Sequence, residues 1–128
     1  MRENQTPSAF ETRKSFNGHT IEYHDLFEIC QGGPEVGTIS IDGVPLNGRR
    51  IGGPNLISER YLFVPEHIRK PLLGFRFHLL RVDLETLETL VIPKSKKEMI
   101  FLKRIEDRKI FFCEDVSETI VSSLDLPE

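Results

Sequence analysis

The sequence has few of the residues that mark specialised classes of protein. It contains no tryptophan, two cysteines and two methionines among 128 residues. It has no apolar run near the roughly 20 residues that a transmembrane helix requires, and its first residues lack the apolar stretch of a signal peptide. We therefore expect a cytoplasmic protein. The two cysteines fit that compartment, and we expect Cys30 and Cys113 to be free, buried thiols.

The sequence also lacks the motifs of common catalytic and cofactor sites. Its glycines occur without a phosphate-binding pattern. His19 and His24 are five residues apart, and no matching His or Cys pair follows at the spacing of a metal site. Cys113 lies between Phe112 and Glu114, where a core thiol is a better interpretation than a nucleophile. We expect no catalytic residue, no cofactor and no metal ion.

Positive charge is missing from two long segments. Residues 15–48 contain five acidic residues and no lysine or arginine, and residues 110–128 repeat this composition. The segment 49–109 carries 14 basic and 8 acidic residues, and the whole chain has a net charge of −3. This net charge argues against nucleic acid as the ligand. The uneven distribution fits acidic ends that fold against a basic middle, charges that are merely solvated, or an acidic face directed at a basic partner.

Short segments of alternating polar and apolar residues predict an all-β fold. We expect residues 1–18 to be a flexible N-terminal arm and residues 19–128 to be a single all-β domain. Seven to nine short strands separated by turn signals predict an antiparallel meander, in the form of a curved sheet, a half-barrel or a small sandwich. In the tail, Asp115 as N-cap and Glu118 three residues later predict a short C-terminal helix.

Three local features refine this prediction. The alternation slips after His24-Asp25, which predicts a β-bulge. The pair Asp42-Gly43 between two short strands predicts a type I′ hairpin. Residues 99–113 form the clearest hairpin, with its turn at residues 106–108, and their apolar character places Phe112 in the core.

Three segments resemble the hairpins of β-propeller blades. In ISERYLFVPE, residues 58–60 form the turn and residues 61–64 the strand. The segment FHLLRVDLETLETLVI resembles the outer strand pair of such a blade, and MIFLKRIEDRKIFFCED resembles the start of a second one. A closed propeller needs four or more blades of about 40 residues each. The chain is therefore expected to be a stand-alone sheet with blade-like hairpins.

By its size, acidic charge, β content and lack of a catalytic motif, the chain resembles the immunity proteins of bacterial polymorphic-toxin systems. These systems include contact-dependent growth inhibition and type VI effector pairs. The resemblance is one of type and is carried by no diagnostic motif. It implies an inhibitor that neutralises one cognate toxin domain, a basic one, by direct binding, with neither nucleic acid nor a membrane as partner.

The two segments without lysine or arginine supply the candidate binding residues. We expect acids from both segments to line one face for a basic protein partner. The candidates are Glu22, Asp25, Glu28, Glu114, Asp115 and Glu118.

Two other functional classes stay open. The first is a small β-barrel enzyme in which His24 works with Glu22 or Asp25 as an acid–base pair. The second is an accessory subunit that binds through an exposed sheet edge.

Overall fold

The computed structural model describes residues 5–70 and 74–127. These residues form eleven β-strands and no helix. The strands are β1 (Arg13–Phe16), β2 (His19–Glu28), β3 (Glu35–Ile41), β4 (Val44–Pro45), β5 (Leu56–Ser58), β6 (Tyr61–Lys70), β7 (Gly74–Asp83), β8 (Thr89–Val91), β9 (Phe101–Glu106), β10 (Lys109–Cys113) and β11 (Val121–Asp125).

The strands form three antiparallel sheets. The N-terminal sheet has the order β1-β2-β3-β4, the central sheet β5-β6-β7-β8 and the C-terminal sheet β11-β10-β9. Among the described strands, none of the sheets closes into a barrel. The predicted all-β fold with curved antiparallel sheets is confirmed. The strand count exceeds the expected seven to nine, because β1 forms within the expected N-terminal arm and β11 forms in place of the expected C-terminal helix.

Residues 50–52 join the N-terminal sheet to the central sheet. Ile51 forms one β-bridge to Gly37 of β3 and another to Glu66 of β6. A Cβ atom at position 37 would lie only 2.3 Å from the carbonyl oxygen of His24. Glycine therefore allows β2 and β3 to approach closely at this point. The two sheets together form one strongly bent surface.

Two hydrophobic cores lie on opposite faces of the central sheet. Side chains alternate along β6, so Leu62 and Val64 belong to the first core and Phe63 belongs to the second. The first core is enclosed by the N-terminal and central sheets, and the second lies between the central and C-terminal sheets. Because both faces of the central strands are covered, β6 reads as a continuous apolar run rather than an alternating one.

The predicted turns and the bulge are confirmed. Asp42 and Gly43 have φ angles of 53° and 83°, as a type I′ turn requires. The β9–β10 hairpin turns at residues 107–108, which both have positive φ. The pairing of β2 with β3 shifts register between His24 and Phe27. The extra residue of this bulge is accommodated where the alternation of the sequence slips.

The described part of the expected N-terminal arm is held against the sheets. Strand β1 pairs with β2 along its whole length. The ring of Phe10 lies 4.9 Å from that of Tyr23, and the N–H of Glu35 donates to the carbonyl of Pro7 at 3.0 Å. Breakers and polar residues suggest a loose segment, but tertiary contacts order residues 5–16. Residues 1–4 of the expected arm lie outside the described residues.

The predicted C-terminal helix is wrong. The carboxylate of Asp115 accepts hydrogen bonds from the N–H groups of Thr119 and Ile120, each at 3.0 Å, in a compact loop. Glu118 has a φ of 61°, which no α-helix accommodates. After this loop, β11 pairs along β10. The period-two pattern of β11 therefore outweighs the spacing that resembles a capping box.

The two cysteines are both free, but only one is buried. Cys113 is buried as expected, whereas the prediction of a buried Cys30 is wrong, because Cys30 lies exposed between β2 and β3. Burial raises the pKa of the Cys113 thiol. A thiol held in its protonated form is a poor nucleophile.

Phe112 tests the position of the second core. Its side chain has no exposed surface, so we expect Phe112→Ala to lower the free energy of unfolding by about 3–5 kcal/mol. Urea denaturation followed by circular dichroism measures this loss. Phe111→Ala is the matched control, because Phe111 is partly exposed under the guanidinium of Arg104. A loss below about 1 kcal/mol for Phe112→Ala would contradict its place in the core.

Candidate functional site

The bulge in β2 turns an aromatic ring toward solvent. Before the bulge, Ile21 and Tyr23 face the first core. After it, Leu26 packs against the same core, while Phe27 is 45% exposed. The change of phase comes from one extra residue, Asp25, which has a φ of 54°. The bulge therefore places a large apolar side chain on the surface.

Acidic residues flank Phe27 in the sequence of β2. Asp25 and Glu28 are exposed, and within the described part of the chain neither has an ion-pair partner. Glu28 lies directly opposite Glu35 in the pairing of β2 with β3, and like charges in such positions destabilise a sheet. Glu22 lies two residues before His24 on β2, with its carboxylate 3.8 Å from the Nε atom of Arg13. The bulge therefore carries uncompensated negative charge.

We call Glu22, Asp25, Phe27 and Glu28 the bulge surface. The guanidinium of Arg50 lies 5.5 Å from the centre of the Phe27 ring. This cation covers part of the ring, and the remainder is open to solvent. Three of the six predicted binding residues thus lie on the same strand as this exposed aromatic side chain.

The three predicted acids near the C-terminus are engaged within the chain. The Glu118 carboxylate lies 2.7 Å from the Nζ atom of Lys103, and the Glu114 carboxylate lies 3.7 Å from that of Lys97. Asp115 holds its own loop through backbone hydrogen bonds. Much of the negative charge that the sequence shows in this segment is therefore balanced by lysines from distant parts of the chain.

The two groups of predicted acids belong to different sheets. Glu22, Asp25 and Glu28 lie on β2 of the N-terminal sheet, and residues 114–118 form the loop before β11 of the C-terminal sheet. These sheets cover opposite faces of the central sheet. A single face made from all six acids stays a prediction. The contacts of the two groups differ, because Glu114 and Glu118 are paired with lysines whereas Asp25 and Glu28 have no ion-pair partner in the described residues.

Apolar side chains next to β11 were not foreseen from the sequence. Val116, Ile120 and Val121 are 56%, 53% and 63% exposed. The charge pattern gives no sign of them, and the predicted helix would have placed them differently. Phe27 was missed in the same way, because its exposure depends on the phase change at the bulge.

The side chains of His19 and His24 contact residues other than Glu22 and Asp25, the proposed acid–base partners of His24. The Nε2 atom of His24 lies 2.9 Å from the Oγ atom of Ser40, and the Nδ1 atom of His19 lies 2.7 Å from a carboxylate oxygen of Asp42. Within residues 5–70 and 74–127, no three His, Cys, Asp or Glu side chains are grouped to hold a metal ion. No contact of His24 favours acid–base chemistry with Glu22.

A buried polar cluster lies beside the bend between the sheets. Glu66 is buried, and one of its carboxylate oxygens lies 2.5 Å from the Nε2 atom of His78. The Nη1 atom of Arg49 donates to both oxygens, at 2.8 and 2.9 Å, and its Nη2 atom donates to Thr89 at 3.0 Å. A buried carboxylate requires such partners. These contacts connect Arg49, which precedes the bend at residues 50–52, with strands β6, β7 and β8 of the central sheet.

No model of a known protein family matches the chain, and no match was found among curated proteins or solved structures. No helix long and apolar enough to cross a membrane occurs in the described residues.

The Asp115 loop is expected to weaken in acid. A hydrogen bond from the side chain of Thr119, followed by one from the N–H of Ile120, holds the pKa of Asp115 below its ordinary value. Such a group adds stability that is present above the pKa of an unfolded Asp, about 3.9, and is lost as the pH falls through the folded-state pKa.

We therefore expect Asp115→Ala to lower the thermal midpoint at neutral pH, with the difference from the original chain closing below about pH 4. Scanning calorimetry over this pH range measures the difference. A difference that stays the same from neutral to acidic pH would show that the carboxylate of Asp115 is not its source.

Proposed function

We propose that the chain is a protein-binding inhibitor, an immunity protein that binds one cognate bacterial toxin domain directly and neutralises it. The observation that carries this proposal is the bulge surface, where Phe27 is 45% exposed and the neighbouring Asp25 and Glu28 have no ion-pair partner in the described residues. A buried aromatic anchor within a polar rim is the usual centre of a protein–protein interface.

The two components of the bulge surface have different roles in binding. Covering the ring of Phe27 removes apolar surface from water, which is worth about 1.5–3 kcal/mol for a fully buried side chain. The carboxylates of Asp25 and Glu28 are exposed, so they act mainly on the rate of encounter with a basic partner. The aromatic ring thus sets the lifetime of the complex, and the acids set how fast it forms.

A basic toxin domain suits this surface. A toxin that acts on nucleic acid binds phosphates through lysine and arginine, and carboxylates compete for the same side chains. Glu28 and Glu35 face each other without a lysine or arginine between them, and a cation from the partner would relieve their repulsion. Neutralisation then requires occupation of the toxin surface and no catalysis by the inhibitor.

Charge reversal tests the role of the carboxylates. The partner is the domain encoded by the reading frame immediately upstream, where a toxin gene is expected. We expect Asp25→Lys with Glu28→Lys to slow association and to flatten its dependence on salt, because exposed charges act through long-range attraction. Stopped-flow measurements at several salt concentrations give both quantities.

The matched control is Glu85→Lys with Glu88→Lys, which makes the same charge change in the exposed turn between β7 and β8. The control should alter the association rate much less. An equal effect of both double variants would show that net charge matters and that the bulge surface does not.

Phe27→Ala tests the aromatic anchor. We expect the variant to weaken binding to the upstream-encoded domain by at least about 2 kcal/mol, as for an interface hot spot. The thermal midpoint should change much less than for a core variant such as Phe112→Ala, because Phe27 is 45% exposed. Calorimetric titration measures the affinity. Leu90→Ala removes another exposed apolar side chain, on β8, and serves as the control. A loss of affinity no greater than that of the control would exclude Phe27 as an anchor.

A further inference from the structure

Strand β11 is an edge strand that lacks the features protecting the other described edges, and its one charged residue is Asp125. Natural sheets protect their edges with lysine, proline, bulges or short strands. Among the described edges, β1 carries Arg13 and Lys14, β4 ends at Pro45, and β9 carries Lys103 and Arg104. The edge strands β5 and β8 have three residues each. Strand β11 has five residues, VSSLD, and none of these devices.

The outer side of β11 presents backbone groups that can pair. In an antiparallel ladder, alternate residues point their N–H and C=O groups toward the partner strand. The N–H of Leu126 donates to the carbonyl of Arg108 at 2.9 Å, so the even-numbered residues of β11 face β10. Val121, Ser123 and Asp125 therefore direct their backbone groups away from β10, and in the described residues no further strand pairs with them.

The strand is held firmly while its outer side stays open. Leu124 and Leu126 pack against the second core, which fixes the position of the strand. Val121, together with Ile120 and Val116 of the preceding loop, exposes more than half of its surface. A rigid strand with open backbone groups and adjacent apolar side chains can accept another strand at low entropic cost.

The two ion pairs near β11 differ in their position relative to its open edge. Asp125 on β11 pairs with Lys109 on the neighbouring β10 at 3.0 Å, and Glu118 in the loop pairs with Lys103 on β9 at 2.7 Å. The segment 110–128 has no lysine or arginine. Because β9 lies on the far side of β10, the carboxylate at the open edge is that of Asp125, which is 81% exposed. A strand that approaches this edge meets Asp125 before it meets Lys109, which favours a basic segment and opposes a second copy of this chain.

We propose that the outer edge of β11 binds an extended, basic segment of a partner protein by strand addition. Backbone groups of residues 121–125 provide the hydrogen bonds, and a lysine or arginine side chain of the segment lies beside Asp125. Apolar side chains of the segment cover Val116 and Val121. The proposal rests on the proposed function only for the choice of a basic protein as the partner.

Hydrogen exchange of individual amides tests this edge directly. The full chain, labelled with nitrogen-15, is titrated with a short peptide of alternating lysine and valine and, separately, with one of alternating glutamate and valine. The lysine peptide is expected to slow exchange at Val121, Ser123 and Asp125 by about tenfold or more, the equivalent of one net hydrogen bond. The amides of Ser122 and Leu124, which face β10, provide the internal control.

Ser123→Pro removes one outward N–H without touching the pairing with β10, a position where an edge strand tolerates proline. It should weaken binding of the lysine peptide by about tenfold, while Ser123→Ala should bind as the original chain does. If the proline variant does not fold, hydrogen exchange at Val121 and Asp125 in the original chain still shows whether the lysine peptide binds at this edge.

Unchanged exchange at the three amides in the presence of the lysine peptide would overturn the proposal. Equal protection by the glutamate peptide would overturn the basic character of the partner. Protection that grows with protein concentration alone, with a dimer in sedimentation, would assign the edge to a second copy. Failure of the upstream-encoded domain to bind, with the peptide result intact, would count against the proposed function and leave the edge assignment standing.

Discussion

The pairing of residues 50–52 between β3 and β6 is the constraint on which the rest of the structure depends. Ile51 bridges Gly37 and Glu66 and so bends the N-terminal and central sheets around the first core. At position 37 the backbone of β2 also lies close, since a side chain there would meet the carbonyl of His24. The bulge at Asp25 lies opposite this glycine. The bend that closes the core and the bulge that exposes Phe27 therefore occupy the same place.

The bulge surface and the outer edge of β11 have different structural origins. The bulge surface results from a distortion inside a four-stranded sheet, and its acids Asp25 and Glu28 lack ion-pair partners in the described chain. The edge of β11 results from the end of a sheet, and its acid Asp125 is paired with Lys109. The first feature relies on an aromatic anchor and uncompensated charge. The second relies on backbone hydrogen bonds, so each can be tested without disturbing the other.

Local patterns predicted most of the fold, because turns and bulges depend on neighbouring residues. Asp42-Gly43 marks a hairpin by its own backbone preference, and the slip after His24 marks the bulge. The C-terminal segment was predicted wrongly as a helix, because the capping pattern at Asp115 is a local signal. Strand β11 is instead stabilised by pairing with β10 and by the packing of Leu124 against the second core. The candidate site shows the same limit, since a charge pattern does not reveal that Lys103 lies beside Glu118.

The bulge surface is the central claim, and mapping a complex by hydrogen–deuterium exchange tests it most directly. The chain is compared alone and with the domain encoded immediately upstream, at concentrations where the complex forms. The account predicts that exchange slows in the segment 22–28 around Phe27, where the bulge leaves backbone groups weakly paired. A complex that forms while exchange in this segment stays unchanged would contradict it.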